Sequence, residues 1–333
     1  MSEPTPLDER TLPDYLRGLG LLGSTESVRV EPAGDGNINW VRRVRAGDRS
    51  WVVKQARPAL ERFPQYRAST IRIACEARWL ETVRPLDRER VCPGVVVFDE
   101  AARTLVLEDL GDVPKLDAVL ARRSGEGRDA AVRLGGFLGA VHAATGGDDT
   151  LAPRFPNGEM QRLHGDHIFD LPFRENDFPL APPVRARAEE IWHKGDVAAQ
   201  AAAAYRRYLE PHGALVHGDV QAGNVLLAPR GAVLLDAEIA HVGDPAFDLG
   251  MLFAHCWLPV AARGAADAAE PAVSAAWQAY ADRSGAPPER RIEANRYAGI
   301  ELLRRTLGAA RVPAVEGSDA SLAVIDFALT LLA

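Results

Sequence analysis

The stretch 215–249, LVHGDVQAGNVLLAPRGAVLLDAEIAHVGDPAFDL, constrains this 333-residue chain more than any other. Ala214, Leu215 and Val216 read as a short strand that runs into His217-Gly218-Asp219, and Asn224 follows five positions after that aspartate. Val225, Leu226 and Leu227, a turn around Pro229-Arg230-Gly231, and a return over 232–235 form a hairpin. The return strand ends at Asp236, with Glu238 two positions on. A carboxylate, an amide and two further carboxylates are thereby carried on loops held by apolar strands. Phosphoryl transfer needs such a set. Asp219 can accept the proton of a hydroxyl, and Asn224 and Asp236 are hard oxygen ligands suited to Mg²⁺. Mg²⁺ keeps several waters and takes one or two carboxylates, so a sparse ligand set is expected.

Composition bounds the partners. At 333 residues the chain exceeds the usual size of one core, so two lobes are expected. The formal net charge of −7 argues against nucleic acid or an anionic membrane as partner. Cys75, Cys92 and Cys256 are scattered, without metal-ligand spacing, which fits a reducing cytoplasm. The polar, acidic start MSEPTPLDERTLPDYL is not a signal peptide, and no apolar run reaches bilayer length. The expectation is a cytoplasmic protein that works on a small molecule.

Upstream, residues 11–22 read as a helix, and Val28-Arg29-Val30 begins a strand. The loop that follows holds Gly34, Asp35, Gly36, Asn37 and Asn39, and its backbone N–H groups suit phosphate oxygens. The apolar strand Trp51-Val52-Val53 ends at Lys54, which can reach the α- and β-phosphates of a nucleotide. A helix follows with Ile71, Ile73, Ala77 and Leu80 on its apolar positions. Within it Glu76 is the candidate partner for Lys54, with Glu81 as an alternative. Strands over 95–98 and 104–107 lead to Glu108-Asp109-Leu110-Gly111-Asp112, where a two-lobed kinase would hinge. Glu108 and Leu110 would there offer main-chain groups to a base.

The remainder reads as mainly helical, with one long Ala-rich helix over 185–209. His142 reads as a packed residue and Asp248 as a brace of the catalytic loop. His164-Gly165-Asp166-His167 repeats the His-Gly-Asp tripeptide, but Leu171 stands where the asparagine is needed. Arg304 and Arg305 are adjacent, about 100° apart on a helix, so at most one is expected to face an apolar core. Their default reading is a solvated face.

Asp-x-x-x-x-Asn followed by a strand-borne Asp is the catalytic-loop pattern of eukaryotic-like kinases. With His-Gly-Asp and Asp-Ala-Glu in the two motif positions, the chain resembles the aminoglycoside phosphotransferase and choline kinase superfamily. It looks most like the 5-methylthioribose kinase branch along most of its length. GDGNINWV (34–41), WVVKQA (51–56), LEDL (107–110), HIFDLPFREN (167–176), HGDVQAGN (217–224), DAEIAHVGDPAFDLG (236–250) and AGIELLRRTLGAARV (298–312) carry the likeness. The resemblance implies Asp219 as catalytic base and Asp236 with Glu238 as Mg²⁺ ligands. It also implies Arg304 and Arg305 in the substrate pocket, and homodimeric assembly. Where that branch usually reads His-Gly-Asp-Leu-His-Thr-Gly-Ser, this chain carries Val220, Gln221, Ala222 and Asn224.

The expected fold is α+β: a bilobal protein-kinase-like fold with a small antiparallel β-sheet lobe (1–108), a hinge (109–113) and a larger, mainly helical lobe (114–333). The expected activity is ATP- and Mg²⁺-dependent phosphorylation of a sugar hydroxyl, most simply 5-methylthioribose. The alternatives are an aminoglycoside, amino-sugar or choline acceptor, and a catalytically silent nucleotide-binding module. A protein kinase is disfavoured because no Ala-Pro-Glu segment follows Asp236.

Overall fold

The computed structural model describes residues 4–34, 38–59, 67–120 and 126–333. Five strands form one antiparallel sheet in the order β1-β2-β3-β5-β4. They are β1 (Arg29–Pro32), β2 (Trp40–Ala46), β3 (Arg49–Gln55), β4 (Val95–Asp99) and β5 (Thr104–Glu108). Side chains on a strand alternate between faces, and β3 uses both. Trp51 and Val53 are buried with Trp40, Val44 and Val106 against Leu12 and Leu16 of α1 (Leu12–Gly18). Val52 and Lys54 line the central cleft instead. A one-residue slip would exchange the two sets, so the apolar pattern fixes the register that delivers Lys54 to the cleft. In that register Lys54 sits between Val41 and Leu105. The helix α2 (Arg72–Val83) joins Ile73, Ala77 and Leu80 to the buried cluster that also holds Leu105 and Leu107.

The second lobe is built from α3 (Leu116–Leu120), α4 (Glu126–Thr145), α5 (Gly158–Gly165), α6 (Pro182–Lys194), α7 (Asp196–Leu209), α8 (Pro245–Ala261), α9 (Glu270–Ser284), α10 (Glu289–Leu307) and α11 (Ser318–Leu332). The helix α4 packs on α9, and α10 packs on both α8 and α11. Two small antiparallel pairs lie at the cleft: β6 (Ala214–Val216) with β9 (His241–Gly243), and β7 (Val225–Ala228) with β8 (Gly231–Leu234). This is the α+β, two-lobed architecture expected from the sequence. Among the described residues, no helix is long and apolar enough to cross a membrane.

Two helices differ from expectation. The first ends at Gly18 instead of running to 22, in a stretch where Gly18 and Gly20 lower helix propensity. The single helix expected over 185–209 is two, broken at Gly195 with φ of 77°. Glycine adopts that left-handed conformation without steric cost, so it ends α6 after His193 and Lys194, and α7 starts afresh at Asp196.

Candidate active site

The strand β6 delivers His217-Gly218-Asp219 to the cleft, and α8 fixes the turn. Asp248, in the first turn of α8, accepts the N–H of His217 at 2.7 Å and of Gly218 at 2.9 Å. His142 of α4 lies 3.2 Å from the same carboxylate through Nε2. Burial opposes the charge on Asp248, but the hydrogen bonds and His142 outweigh it and hold the carboxyl below its ordinary range. Gly218 has φ of 86°, and a Cβ there would lie 2.7 Å from the carbonyl oxygen of Ile239. Only glycine fits that turn.

Asp219 is held on one side. Its Oδ2 accepts from Asn224 Nδ2 at 2.7 Å and from Gln221 Nε2 at 2.8 Å. Asp219 Oδ1 is buried without a hydrogen-bond partner among the described residues, and His164 Nε2 stands 3.7 Å from it. Burial pushes the His164 imidazole down to about 3, so it is neutral near neutral pH. The first His-Gly-Asp is therefore no second catalytic loop. It closes α5 and enters a π-helical turn at Asp166–Asp170, yet its histidine meets the aspartate of the second tripeptide. Nothing in the 54 intervening residues announces this contact.

Lys54 Nζ lies 2.8 Å from both carboxylate oxygens of Glu76 and also bonds Asp236. Burial opposes its charge, but Asp236, Glu76 and Glu238 outweigh this and raise the ammonium above its ordinary value. Burial in turn pushes Glu76 up to about 7, with Lys54 pulling against it. Asp236 sits at φ of 66°, a left-handed conformation uncommon outside glycine and tolerated by aspartate, of the kind that collects at functional sites. Glu238 Oε2 accepts from Asn39 Nδ2 at 2.7 Å and lies 3.5 Å from Arg72 Nε. Asn39 Oδ1 in turn accepts from Arg72 Nε at 3.1 Å, so Asn39 links a fully buried arginine to Glu238. Arg72 carried no signal in the sequence beyond an apolar helical neighbourhood.

Asn39, Lys54, Glu76, Asp219, Gln221, Asn224, Asp236 and Glu238 share one cavity of about 680 Å³, also lined by Gly34, Glu108 and Leu110. Val41, Val52, Leu107, Leu226 and Leu235 give it apolar walls from both lobes. The side chain of Glu108 is spent on Arg90, Arg230 and the N–H of Gly94. Arg43 ties the segment that follows to the sheet, bonding Asp109 at 2.9 Å and the Gly111 carbonyl at 2.9 Å. Asp35, Gly36 and Asn37 lie outside the described residues.

The solvated-face reading of the arginine pair is overturned. Arg304 and Arg305 are each only 7% exposed, and both turn to Glu301, which is wholly buried one helical turn back. Arg304 Nη1 lies 3.0 Å from Glu301 Oε2, and Arg305 Nε 2.6 Å from Oε1. Arg305 Nη2 donates to Gln221 Oε1 at 2.6 Å. His255 of α8 adds Nε2 at 3.4 Å from Glu301 Oε1. Two adjacent helical residues can both be buried because long guanidinium stems bend toward a shared carboxylate at i−3 and i−4. Glu301 was the legible clue: Glu-x-x-Arg-Arg places one acid within a turn of both bases.

The sequence model of the phosphotransferase enzyme family (APH) matches residues 29–291. The chain belongs to that family. It is 26% identical to a methylthioribose kinase of Geobacillus sp., over 96% of this chain and 88% of that enzyme. It is 27% identical to a methylthioribose kinase of Pectobacterium atrosepticum, over 96% and 90%. A spectinomycin phosphotransferase solved with ADP and spectinomycin superposes with a TM-score of 0.53 at 11% identity, covering 98% of this chain and 99% of that one. The protein is a phosphotransferase acting on a hydroxyl group.

The phosphotransferase carries a donor set that fits a hard divalent cation. Among the described residues, no three His, Cys, Asp or Glu side chains converge on a metal position. The cleft instead offers one amide, Asn224, and the carboxylates Asp236 and Glu238, a sparse oxygen set of the kind Mg²⁺ accepts. Asn224 spends its amide nitrogen on Asp219, which leaves its carbonyl oxygen as a ligand. The Asp236 side chain is 44% exposed to the cleft, and Lys54 helps hold its carboxyl below the ordinary range against the effect of burial. Glu238 already gives Oε2 to Asn39.

The buried Glu301 group yields a pH prediction. Burial alone would raise its carboxyl, but Arg304 and Arg305, with His255, hold it well below the usual range. A depressed carboxyl contributes stability above its unfolded pKa of about 4.3 and loses it as pH falls through the folded value. Glu301→Gln is therefore expected to cost about 3–5 kcal/mol at neutral pH, because it leaves two buried guanidiniums without their anion. That penalty should shrink below about pH 4. Melting temperatures across this range check it, and an equal penalty at both ends would contradict the assignment.

Proposed function

We propose that this phosphotransferase moves the γ-phosphoryl group of ATP to a hydroxyl of an uncharged sugar, with 5-methylthioribose as the leading acceptor. The observation that carries the acceptor class is the likeness to two methylthioribose kinases over most of the chain. Behind the catalytic loop, Arg305 reaches Gln221 and shares the buried Glu301 carboxylate with Arg304. ADP in the spectinomycin enzyme of similar fold supports an adenine nucleotide in the cleft between the lobes.

In this reading Asp219 takes the proton of the acceptor hydroxyl as its oxygen turns toward the γ-phosphorus. Asn224 and Gln221 keep the carboxylate in one plane while this happens. Lys54, braced by Glu76, receives the α- and β-phosphates. Backbone groups of Glu108 and Leu110 meet the base, with residues 109–113 as the hinge. Asn224 and Asp236 would hold Mg²⁺, and Glu238 would ligate or orient it. When bound, the cation neutralises charge on the transferring phosphoryl oxygens. Catalysis is positioning and electrostatics, with no covalent work for the chain.

The test is ADP release from Mg²⁺-ATP over a panel of 5-methylthioribose, other pentoses, amino sugars, aminoglycosides and choline, with Asp219→Asn as the blank. Turnover that depends on Asp219 and favours the uncharged sugars is the expected result. A higher kcat/KM for an aminoglycoside or for choline would overturn the acceptor class and leave the phosphotransferase intact.

A further inference from the structure

We infer that Gln221 is a positioning residue for the transfer, anchoring Asp219 to helix α10 through Arg305 and Glu301. The inference rests on the reading of Asp219 as the base. The connection is continuous: Gln221 Nε2 donates to Asp219 Oδ2 at 2.8 Å, Arg305 Nη2 donates to Gln221 Oε1 at 2.6 Å, and Arg305 Nε donates to Glu301 Oε1 at 2.6 Å. Glu301 has no exposure to solvent, so the far end of this line is fixed in the core.

The chemistry of each link explains why glutamine stands there. A primary amide is both donor and acceptor. Between a carboxylate and a guanidinium it has one satisfactory orientation, with NH₂ toward Asp219 and oxygen toward Arg305. A flipped amide would face oxygen to oxygen and nitrogen to nitrogen, so its two neighbours lock it.

The other restraints on the loop do a different job. Asp248 pins the backbone of His217 and Gly218, before the base. Asn224 binds Asp219 from within the same loop, so it sets local shape without fixing the loop against the helices. Among the described residues, Gln221 supplies the hydrogen-bonded tie from the Asp219 carboxylate across to α10. It also lines the cleft, so the tie runs along the wall where acceptor and phosphoryl group must meet. Misplacement of a reacting group by about 1 Å can cost about 10²-fold in rate, which sets the scale of what this tie controls.

Four variants test it, with kcat, both KM values and nucleotide affinity by calorimetry. Gln221→Leu removes both hydrogen bonds and is expected to lower kcat about 10²-fold while nucleotide affinity stays unchanged. Gln221→Glu keeps the acceptor for Arg305 but sets a carboxylate against Asp219, and should lose at least as much. Gln221→His restores a donor and an acceptor in one ring and should recover most of the loss. In an Arg305→Met background, Gln221→Leu should add little, because the two share one connection. Independent, multiplying effects of Gln221 and Arg305, or a Gln221→Leu enzyme within about threefold of the parent in kcat, would overturn the inference. Asp219→Asn run alongside separates the failures. Turnover surviving that change removes the base assignment and this inference with it, whereas its loss beside an unaffected Gln221→Leu removes the inference alone.

Discussion

Asp219→Asn is expected to lower kcat by about 10²–10⁴-fold, the contribution of a well-placed general base, with nucleotide affinity unchanged. Asparagine is the informative replacement. Its single carbonyl oxygen can still accept from both Asn224 Nδ2 and Gln221 Nε2, the donors now on Oδ2, so the loop keeps its shape. The amide nitrogen would then occupy the place of Oδ1, the buried oxygen that faces His164. It cannot take a proton from a hydroxyl. Steady-state kinetics with the preferred acceptor, paired with calorimetric titration of ADP, measure the effect. A variant that turns over within about tenfold of the parent would remove Asp219 from the role.

Lys54→Met is expected to reduce both stability and turnover. Lys54 sits against Glu76 and Asp236 with a side chain only 6% exposed, and Glu76 is 2% exposed. Removing one partner of a buried pair costs about 3–5 kcal/mol, because the other charge remains without compensation. The sign of the pH dependence follows from Glu76. Burial already holds its carboxyl at about 7, and loss of the lysine raises it further. A raised carboxyl destabilises the fold increasingly as pH climbs toward its folded pKa, while below that value protonation relieves the penalty. The melting-temperature deficit of Lys54→Met should therefore grow from about pH 6 to about pH 9. Turnover should fall with a raised KM for ATP, since the ammonium is the phosphate clamp in our reading. A deficit that is flat with pH would show that Glu76 is not the group left uncompensated.

Much of the architecture was legible from one dimension because it follows from local rules. Alternation in Trp51-Val52-Val53-Lys54 determined which face of the sheet carries the lysine. The turn Pro229-Arg230-Gly231 between two apolar runs determined the β7–β8 hairpin, and the spacing from Asp219 to Asn224 placed both groups on one loop. The helix break at Gly195 has a local signal, His193 and Lys194 followed by a glycine, which is masked because helix-forming residues continue on both sides of it.

Order along the chain specifies which chemistries it can hold: a base, an amide, two carboxylates and a lysine, at spacings that loops and strands convert into position. The charge and orientation of those groups come from packing. Arg304 and Arg305 looked solvated because helical geometry separates adjacent residues. Burial around Glu301 reversed that, since a carboxylate taken out of water gathers the cations within reach. His164 meets Asp219, and Arg305 meets Gln221 beside it, from places that no spacing rule connects, through packing of α5 and α10 against the catalytic loop. The physical reason is one of range. Backbone periodicity acts over a few residues and is written in order along the chain, while desolvation and hydrogen-bond satisfaction act through space and exist only once the lobes have closed on their polar groups.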